Sequence, residues 1–446
     1  MIALLLACAT DDTDFPQPVM PDGDTVDTSP AGPLTITAVG PAASIDECAE
    51  VCFSVVVTRD GRGVDDVLVD VWIGDHAFGA DVPTTGDGTA SVCGGGLDVG
   101  VHEALVVATL DGESVTSIAT ATVAAFGWAD GFERDSAPVD TLPWTPSFVR
   151  HAGNPVLPAG ELGTWDEVGD IVPSVARTDD GWVMWFAGTA EVDYIVGVAT
   201  SPDGITWSKD ARNPLFSGDG IEASWRRYST NSPMIVEHDG AWYMYYTGRS
   251  EETGNLNIGL AVGDDPSTVV DVPENPVFSW TEAESTWAGQ AVAHPSVLVR
   301  EDGWWEMWYS TGYHRIGYAY SRDGSSWSRY CKNPVFEGDQ DYLDWETNQV
   351  KANEVLHHDG WYYMTYTAGD TGAFTIGWAM SRDGIHWVRA DKPVFSAATE
   401  AGTWESNSVL SAPIVVVGDE LWMWYSGTGA TGSAVGLAIA SLAGAP

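Results

Sequence analysis

Charged side chains recur at one position of this chain, immediately after a tryptophan. Trp165 is followed by Asp166-Glu167, Trp225 by Arg226-Arg227, Trp287 by Ala288-Gly289, Trp345 by Glu346-Thr347 and Trp404 by Glu405-Ser406. Carboxyl groups that face one another across a pocket can divide acid and base work, provided one is held protonated and the other ionised. Asp170 is the first candidate for a base or nucleophile because, unlike the others, it is not repeated. Glu346 is assigned the acid, with Asp166 beside them and Glu354 in reserve. Arg226, Arg227, Asn231, His294, Asn348, Lys351, Glu405 and Asn407 would supply polar and cationic neighbours for a ligand's hydroxyl groups. The competing reading makes Asp166, Glu346 and Glu405 a repeated surface turn, since they share one slot of a repeat. His294 has no second His, Cys or carboxylate at ligand spacing, so a satisfied hydrogen bond is its plainest role.

The elements that must position these groups are strands. Five units of about sixty residues run from Trp144 to the C-terminus, opened at Pro173, Pro233, Pro295, Asn353 and Pro413. Each then carries an aromatic-rich strand with methionine in one slot: Met184, Met244, Met307, Met364 and Met423. Strand-rich units of this period, separated by Gly and Asp turns, predict an all-β fold ending in a five-bladed β-propeller over 144–446. The Met and aromatic stripe would fill the spaces between blades. Asn-Pro closers stand at Asn154, Asn213, Asn275 and Asn333, and the first precedes the first repeat. A strand near 145–150 should therefore complete the last blade, close the ring and leave no open sheet edge.

The front of the chain reads differently. Leu5-Leu6-Ala7-Cys8 resembles a bacterial lipobox, which implies a lipid on Cys8, a remnant leader over 1–8 and placement in the cell envelope at the outer membrane, or secretion. Residues 9–32 are acidic, proline-bearing and without a base, and so predict an unstructured tether. Short alternating strands over 33–126 predict an immunoglobulin-like sandwich, joined through a linker at 127–143. In that block Cys93 would pair with Cys48 or Cys52, and spacing does not choose between them. Cys331 reads as a small buried residue. With 64 acids against 19 bases the field repels nucleic acid and anionic membranes, leaving the lipid anchor as the one membrane contact. No cofactor is implied, and an axial calcium is the single cation the acidic composition leaves room for.

Two signatures carry a family resemblance. Ser201-Pro202-Asp203-Gly204, Ser321-Arg322-Asp323-Gly324 and Ser381-Arg382-Asp383-Gly384, each with a Trp three residues on, resemble the Asp-box turn of sialidases, a folding element. The five units and their closers resemble the propeller shared by glycoside hydrolase families 32, 43, 62, 68 and 130. That resemblance implies a carbohydrate partner and an axial pocket in which carboxylates cleave a glycosidic bond. The sequence departs from the family where it matters. The slots directly before the openers hold Val172, Ser232, His294, Ala352 and Ala412, none a carboxylate. A glycoside hydrolase-like surface lipoprotein is the leading expectation, and a propeller that binds glycan or protein without cleaving it is the alternative. A sialidase is rejected, because only Arg226 and Arg227 could meet a substrate carboxylate and the unit count is five.

Overall fold

The computed structural model describes residues 32–41, 45–46, 51–73, 76–94, 100–124, 139–189, 194–217, 224–281, 287–312, 315–338, 345–346, 350–370, 373–399 and 402–446. Cys8, the tether, Cys48, Asn348 and most of the expected linker lie outside them. The chain forms two compact units, Met1–Ala124 and Ala125–Pro446. Among the described residues there is no α-helix, and Ser224–Arg226 form one 3-10 turn.

Among its described residues the first unit has nine strands: β1 (Leu34–Val39), β2 (Ile45–Asp46), β3 (Val51–Arg59), β4 (Arg62–Gly63), β5 (Leu68–Ile73), β6 (His76–Pro83), β7 (Thr89–Gly94), β8 (Gly100–Leu110) and β9 (Glu113–Ala124). One sheet has the order β1-β3-β4 with β7 paired to β3, and the other the order β2-β9-β8-β5-β6. Alternate residues of β3 (Phe53, Val55, Val57) join Val69, Val71, Val92, Ala104 and Val106 in one buried core. That period of two is what a sheet with one covered face requires. Cys52 lies opposite Cys93 on β3 and β7, and the two are bridged, which decides between the two partners the spacing allowed.

The second unit begins with a short β10 (Val149–Arg150). Its first sheet is β11 (Gly169–Thr178), β12 (Gly181–Thr189), β13 (Ile195–Ser201) and β14 (Ser208–Lys209). The next is β15 (Ser229–His238), β16 (Ala241–Arg249), β17 (Leu256–Gly263) and β18 (Val270–Asp271). The third is β19 (Val292–Val299), β20 (Trp305–Thr311), β21 (Arg315–Ser321) and β22 (Trp327–Arg329), with β23 (Phe336–Glu337) also on β21. The fourth is β24 (Val350–His358), β25 (Trp361–Asp370), β26 (Ala373–Ser381) and β27 (Val388–Arg389). In the last, β28 (Ser408–Leu410) and β29 (Ile414–Val417) pair with β30 (Glu420–Gly429), which pairs with β31 (Gly432–Ser441), and β31 meets β11 in parallel at Ser433 and Gly169, joining the first and last groups edge to edge. β10 pairs with β31, placing Val149 opposite Ile439 and Arg150 opposite Ala438.

The repeated residues are accounted for by packing. All five methionines are fully buried. Each repeated tryptophan lies against the aromatic of its own sheet's second strand, for example Trp225 on Tyr246 and Trp404 on Tyr425, with ring centroids 5.8 Å apart in both. The closing asparagines imitate a strand: Asn213 bonds the N–H and C=O of Val198, Asn275 those of Leu260, Asn333 those of Tyr318 and Asn154 those of Leu437. Asp203, Asp323 and Asp383 each accept two turn amides, which holds these carboxyls down at about 2 and makes them turn formers. Cys331 departs from expectation: it is exposed, because it sits in the turn after β22 and not inside a strand.

Candidate ligand-binding cavity

Each first strand bulges near its middle. The pairing of β11 with β12 skips Val172 and Pro173, that of β15 with β16 skips Ser232 and Pro233, and that of β19 with β20 skips His294 and Pro295. Proline cannot donate to a ladder, so it stays where the ladder breaks. The residue before it has positive φ, 54° at Val172, 50° at Ser232 and 48° at His294; in the last sheet it is Ser411, two residues before Pro413, at 46°. For a β-branched valine that conformation is strained.

The bulges are pinned from the neighbouring sheet. A hydroxyl near the end of one second strand accepts the N–H at the next bulge: Ser426 from Val172 (2.8 Å), Thr247 from His294 (2.9 Å), Ser310 from Ala352 (3.0 Å) and Thr367 from Ser411 (2.9 Å). The matching position of the first sheet is Ala187, which has no hydroxyl to offer.

Where the bulges meet lies a cavity of about 220 Å³. Ile171, Val172, Asn231, Ser232, His294, Lys351, Leu410 and Ser411 reach it from the first strands, with Thr367, Phe374 and Tyr194 at its sides. Ser232 Oγ lies 2.7 Å from His294 Nδ1 and 2.9 Å from Asn231 Oδ1. Burial and the neighbouring Lys351 ammonium push the His294 imidazole down to about 3, so it is neutral. Burial also lowers the Lys351 ammonium from its usual range. Beneath, a narrower space shares Val172, Ser232, His294 and Ser411 and is bordered by Glu354 among four prolines. Burial pushes the Glu354 carboxyl up to about 8, so it carries its proton at neutral pH.

Three of the residues expected at a site therefore come together: Asn231, His294 and Lys351. The others are elsewhere. Asp166 accepts from Lys209 Nζ (2.6 Å) and Thr164. Glu346 accepts from Arg389 (2.6 Å) and the Tyr366 hydroxyl (2.6 Å). Glu405 accepts from Arg150 Nε (2.9 Å) and the Tyr425 hydroxyl (2.9 Å). The second sheet inverts the pair, with Arg226 bonded to Asp271 and the Tyr246 hydroxyl donating to the same carboxylate. These acids and Arg226 are buried against strand faces and do not line the cavity, which corrects the expectation that they converge. Their slot follows the repeated tryptophan, so each is held over its own sheet.

The fourth-strand partners share one register: Lys209, Asp271, Arg329, Arg389 and Arg150 lie opposite Ala199, Ala261, Ala319, Ala379 and Ala438. Arg227 is exposed and pairs with Glu251 at 3.3 Å, and Asn407 is exposed with its N–H on the Thr428 carbonyl. Asp170 is a strand residue opposite Gly188, directly before two cavity residues. Ser232, Ser411, Thr367, Tyr194 and Phe374 were not anticipated. The signal for Ser232 was its slot directly before the opener, searched for carboxylates and not for hydroxyls. Among the described residues no three His, Cys, Asp or Glu cluster as a metal site would need.

No family model matches the chain. An uncharacterised protein of Mycobacterium tuberculosis (strain CDC 1551 / Oshkosh) is 22% identical over 238 residues, spanning 51% of this chain and 76% of that one. A 1,2-β-oligomannan phosphorylase of Thermoanaerobacter sp. (strain X514) is 31% identical over 94 residues, 19% of this chain and 31% of the phosphorylase. Among solved structures, one of the GH130 family of mannoside phosphorylases, described as containing glycoside hydrolases that target β-1,2 mannosidic linkages in Candida mannan, is 18% identical. It covers 68% of this chain and 96% of its own with a TM-score of 0.55. A β-1,2-mannobiose phosphorylase from Listeria innocua is 12% identical, with a TM-score of 0.51 over 66% of this chain and 97% of its own. At these identities the shared property is the fold, that of propeller glycosidases.

Proposed function

We propose that the second unit is a five-bladed propeller, closed by β10, whose axial cavity binds a sugar of a glycan. The observation that carries this reading is the cavity lining. Hydroxyls, an amide and an ammonium meet there beside two half-buried aromatic rings, the mix of polar groups and ring faces that suits a polyhydroxylated ring. Its likeness in fold to enzymes acting on mannosides supports carbohydrate as the partner class. Binding without cleavage is the better supported mode. Glycosidic cleavage needs a protonated acid and an ionised carboxylate across the bond. Among the described residues no carboxylate lines the cavity, and Asp166, Glu346 and Glu405 are each neutralised by a cation.

Cleavage stands as the second reading on two observations. Asp170 directly precedes Ile171 and Val172 in β11, and Glu354 keeps its proton beneath the bulges. Two measurements on the full chain separate the readings. Binding to a panel of soluble glycans without release of reducing sugar or of sugar phosphate supports recognition. Release that disappears in Asp170→Asn supports catalysis, and a chain that binds no glycan defeats both. The front of the chain belongs to the same proposal as a lipid-anchored, immunoglobulin-like spacer at the cell envelope. The Cys52–Cys93 bridge, which suits an oxidising compartment, supports it. Loss of fatty-acid labelling in Cys8→Ser tests it.

A further inference from the structure

We propose that the sugar taken by the cavity carries a single carboxylate, as a uronic acid does, and that this group rests on the Lys351 ammonium. The inference depends on the carbohydrate reading above and specifies its substrate class.

Three observations carry it. First, Lys351 borders the cavity with no acidic side chain in the described lining, in a chain where acids outnumber bases 64 to 19. The cations paired with the slot after tryptophan, Lys209, Arg226, Arg389 and Arg150, each face a carboxylate. A desolvated ammonium is costly without a counter-charge, so a ligand that brings one gains what the protein leaves unmade. Second, the described side chains around the cavity carry a single charge. His294 is held neutral, and Glu354 beneath it is protonated, so neither adds to nor cancels the lysine. A carboxylate matches a single positive charge, whereas a phosphate dianion would enter with one negative charge uncompensated, in a chain whose net charge is −45. Third, what remains is neutral and sized for one ring. Asn231, Ser232, Thr367 and Ser411 can meet hydroxyls, and about 220 Å³ falls below the roughly 300–1,000 Å³ of pockets that take drug-sized ligands.

The test is calorimetric titration of the full chain with glucuronate and galacturonate, the matching neutral sugars glucose and galactose, and inorganic phosphate. It is repeated with Lys351→Met and Lys351→Arg. The expected result is that a uronate binds more tightly than its neutral partner by about 10- to 100-fold, the value of one hydrogen bond to a charged group. Lys351→Met should erase that difference, and Lys351→Arg should retain part of it. Equal affinity for charged and neutral sugars in the unaltered protein overturns the inference and spares the carbohydrate reading, whether or not the variants fold. Binding of phosphate but of no uronate overturns it in favour of a free anion. No binding of any sugar overturns the reading on which it rests.

Discussion

Two sets of polar groups in the second unit sit within a few residues of each other in sequence and behave oppositely. The groups after four of the five repeated tryptophans are ion-paired and buried: Asp166 with Lys209, Glu346 with Arg389, Glu405 with Arg150, and the inverted Arg226 with Asp271. The groups at the bulges vary, Val172, Ser232, His294, Ala352 and Ser411, and border the cavity or the narrower space beneath it. The first set does the same work in four of the five sheets, fastening a loop over the third strand. The second answers to whatever enters the cavity, and only one sheet needs to supply each contact. Recurrence of a charged residue in a repeat protein thus argues for architecture, and singularity for recognition.

The largest break in this contrast comes from the ion pairs. Glu346→Gln should destabilise the protein by about 3 kcal/mol, since it leaves the Arg389 guanidinium without its counter-charge beside a buried tyrosine. The double variant Glu346→Arg with Arg389→Glu, which copies the inverted arrangement of the second sheet, should recover much of that loss. Denaturant unfolding measures both, and ligand affinity at the cavity should stay unchanged. A Glu346→Gln protein that unfolds like the parent would reclassify the repeated acids as free for chemistry.

A smaller effect follows from Glu354. Its folded carboxyl titrates at about 8, above the ordinary carboxyl value near 4.5. The folded state therefore holds a proton that the unfolded chain has released. Stability is greatest below pH 4.5 from this group and falls as pH rises towards 8. Glu354→Gln should flatten that part of the stability profile and raise the midpoint of thermal unfolding at pH 8. His294 acts at the other end. With its folded value at about 3 against an ordinary 6.5, its contribution is lost as pH falls through that window.

The smallest effect sharpens the contrast at the bulges. Ser426→Ala removes the acceptor of the Val172 N–H and should cost about 1 kcal/mol. Ala187→Ser supplies the one hydroxyl missing from the series and should add a similar amount, read as a shift in the same unfolding midpoint.

The scaffold was legible in the sequence because it repeats: methionine, tryptophan, closing asparagine and turn aspartate each recur at a fixed step, and each meets the same packing or hydrogen-bonding need in the structure. The role of the charged slot was hidden because the other half of each pair lies far off in sequence, in a two-residue strand with little hydrophobic pattern, and for Glu405 it lies 255 residues back at Arg150. A cue was present nevertheless. Where the residue after tryptophan is Arg226, the fourth-strand position is Asp271, and where it is Asp166 or Glu346 that position is Lys209 or Arg389. Charge reversal at two coupled slots marks a contact. The cavity was read only in part because its hydroxyls, Ser411 and Thr367, are ordinary strand residues until the bulges bring them together.

The pairing of β10 with β31 has a practical consequence for anyone who shortens the chain. A fragment begun after Leu157 would leave Leu437 and its neighbours with bare amides and carbonyls along a flat apolar ribbon. Such a margin recruits strands from other molecules, so the trimmed protein should self-associate, whereas one begun ahead of Trp144 should stay monodisperse on a sizing column.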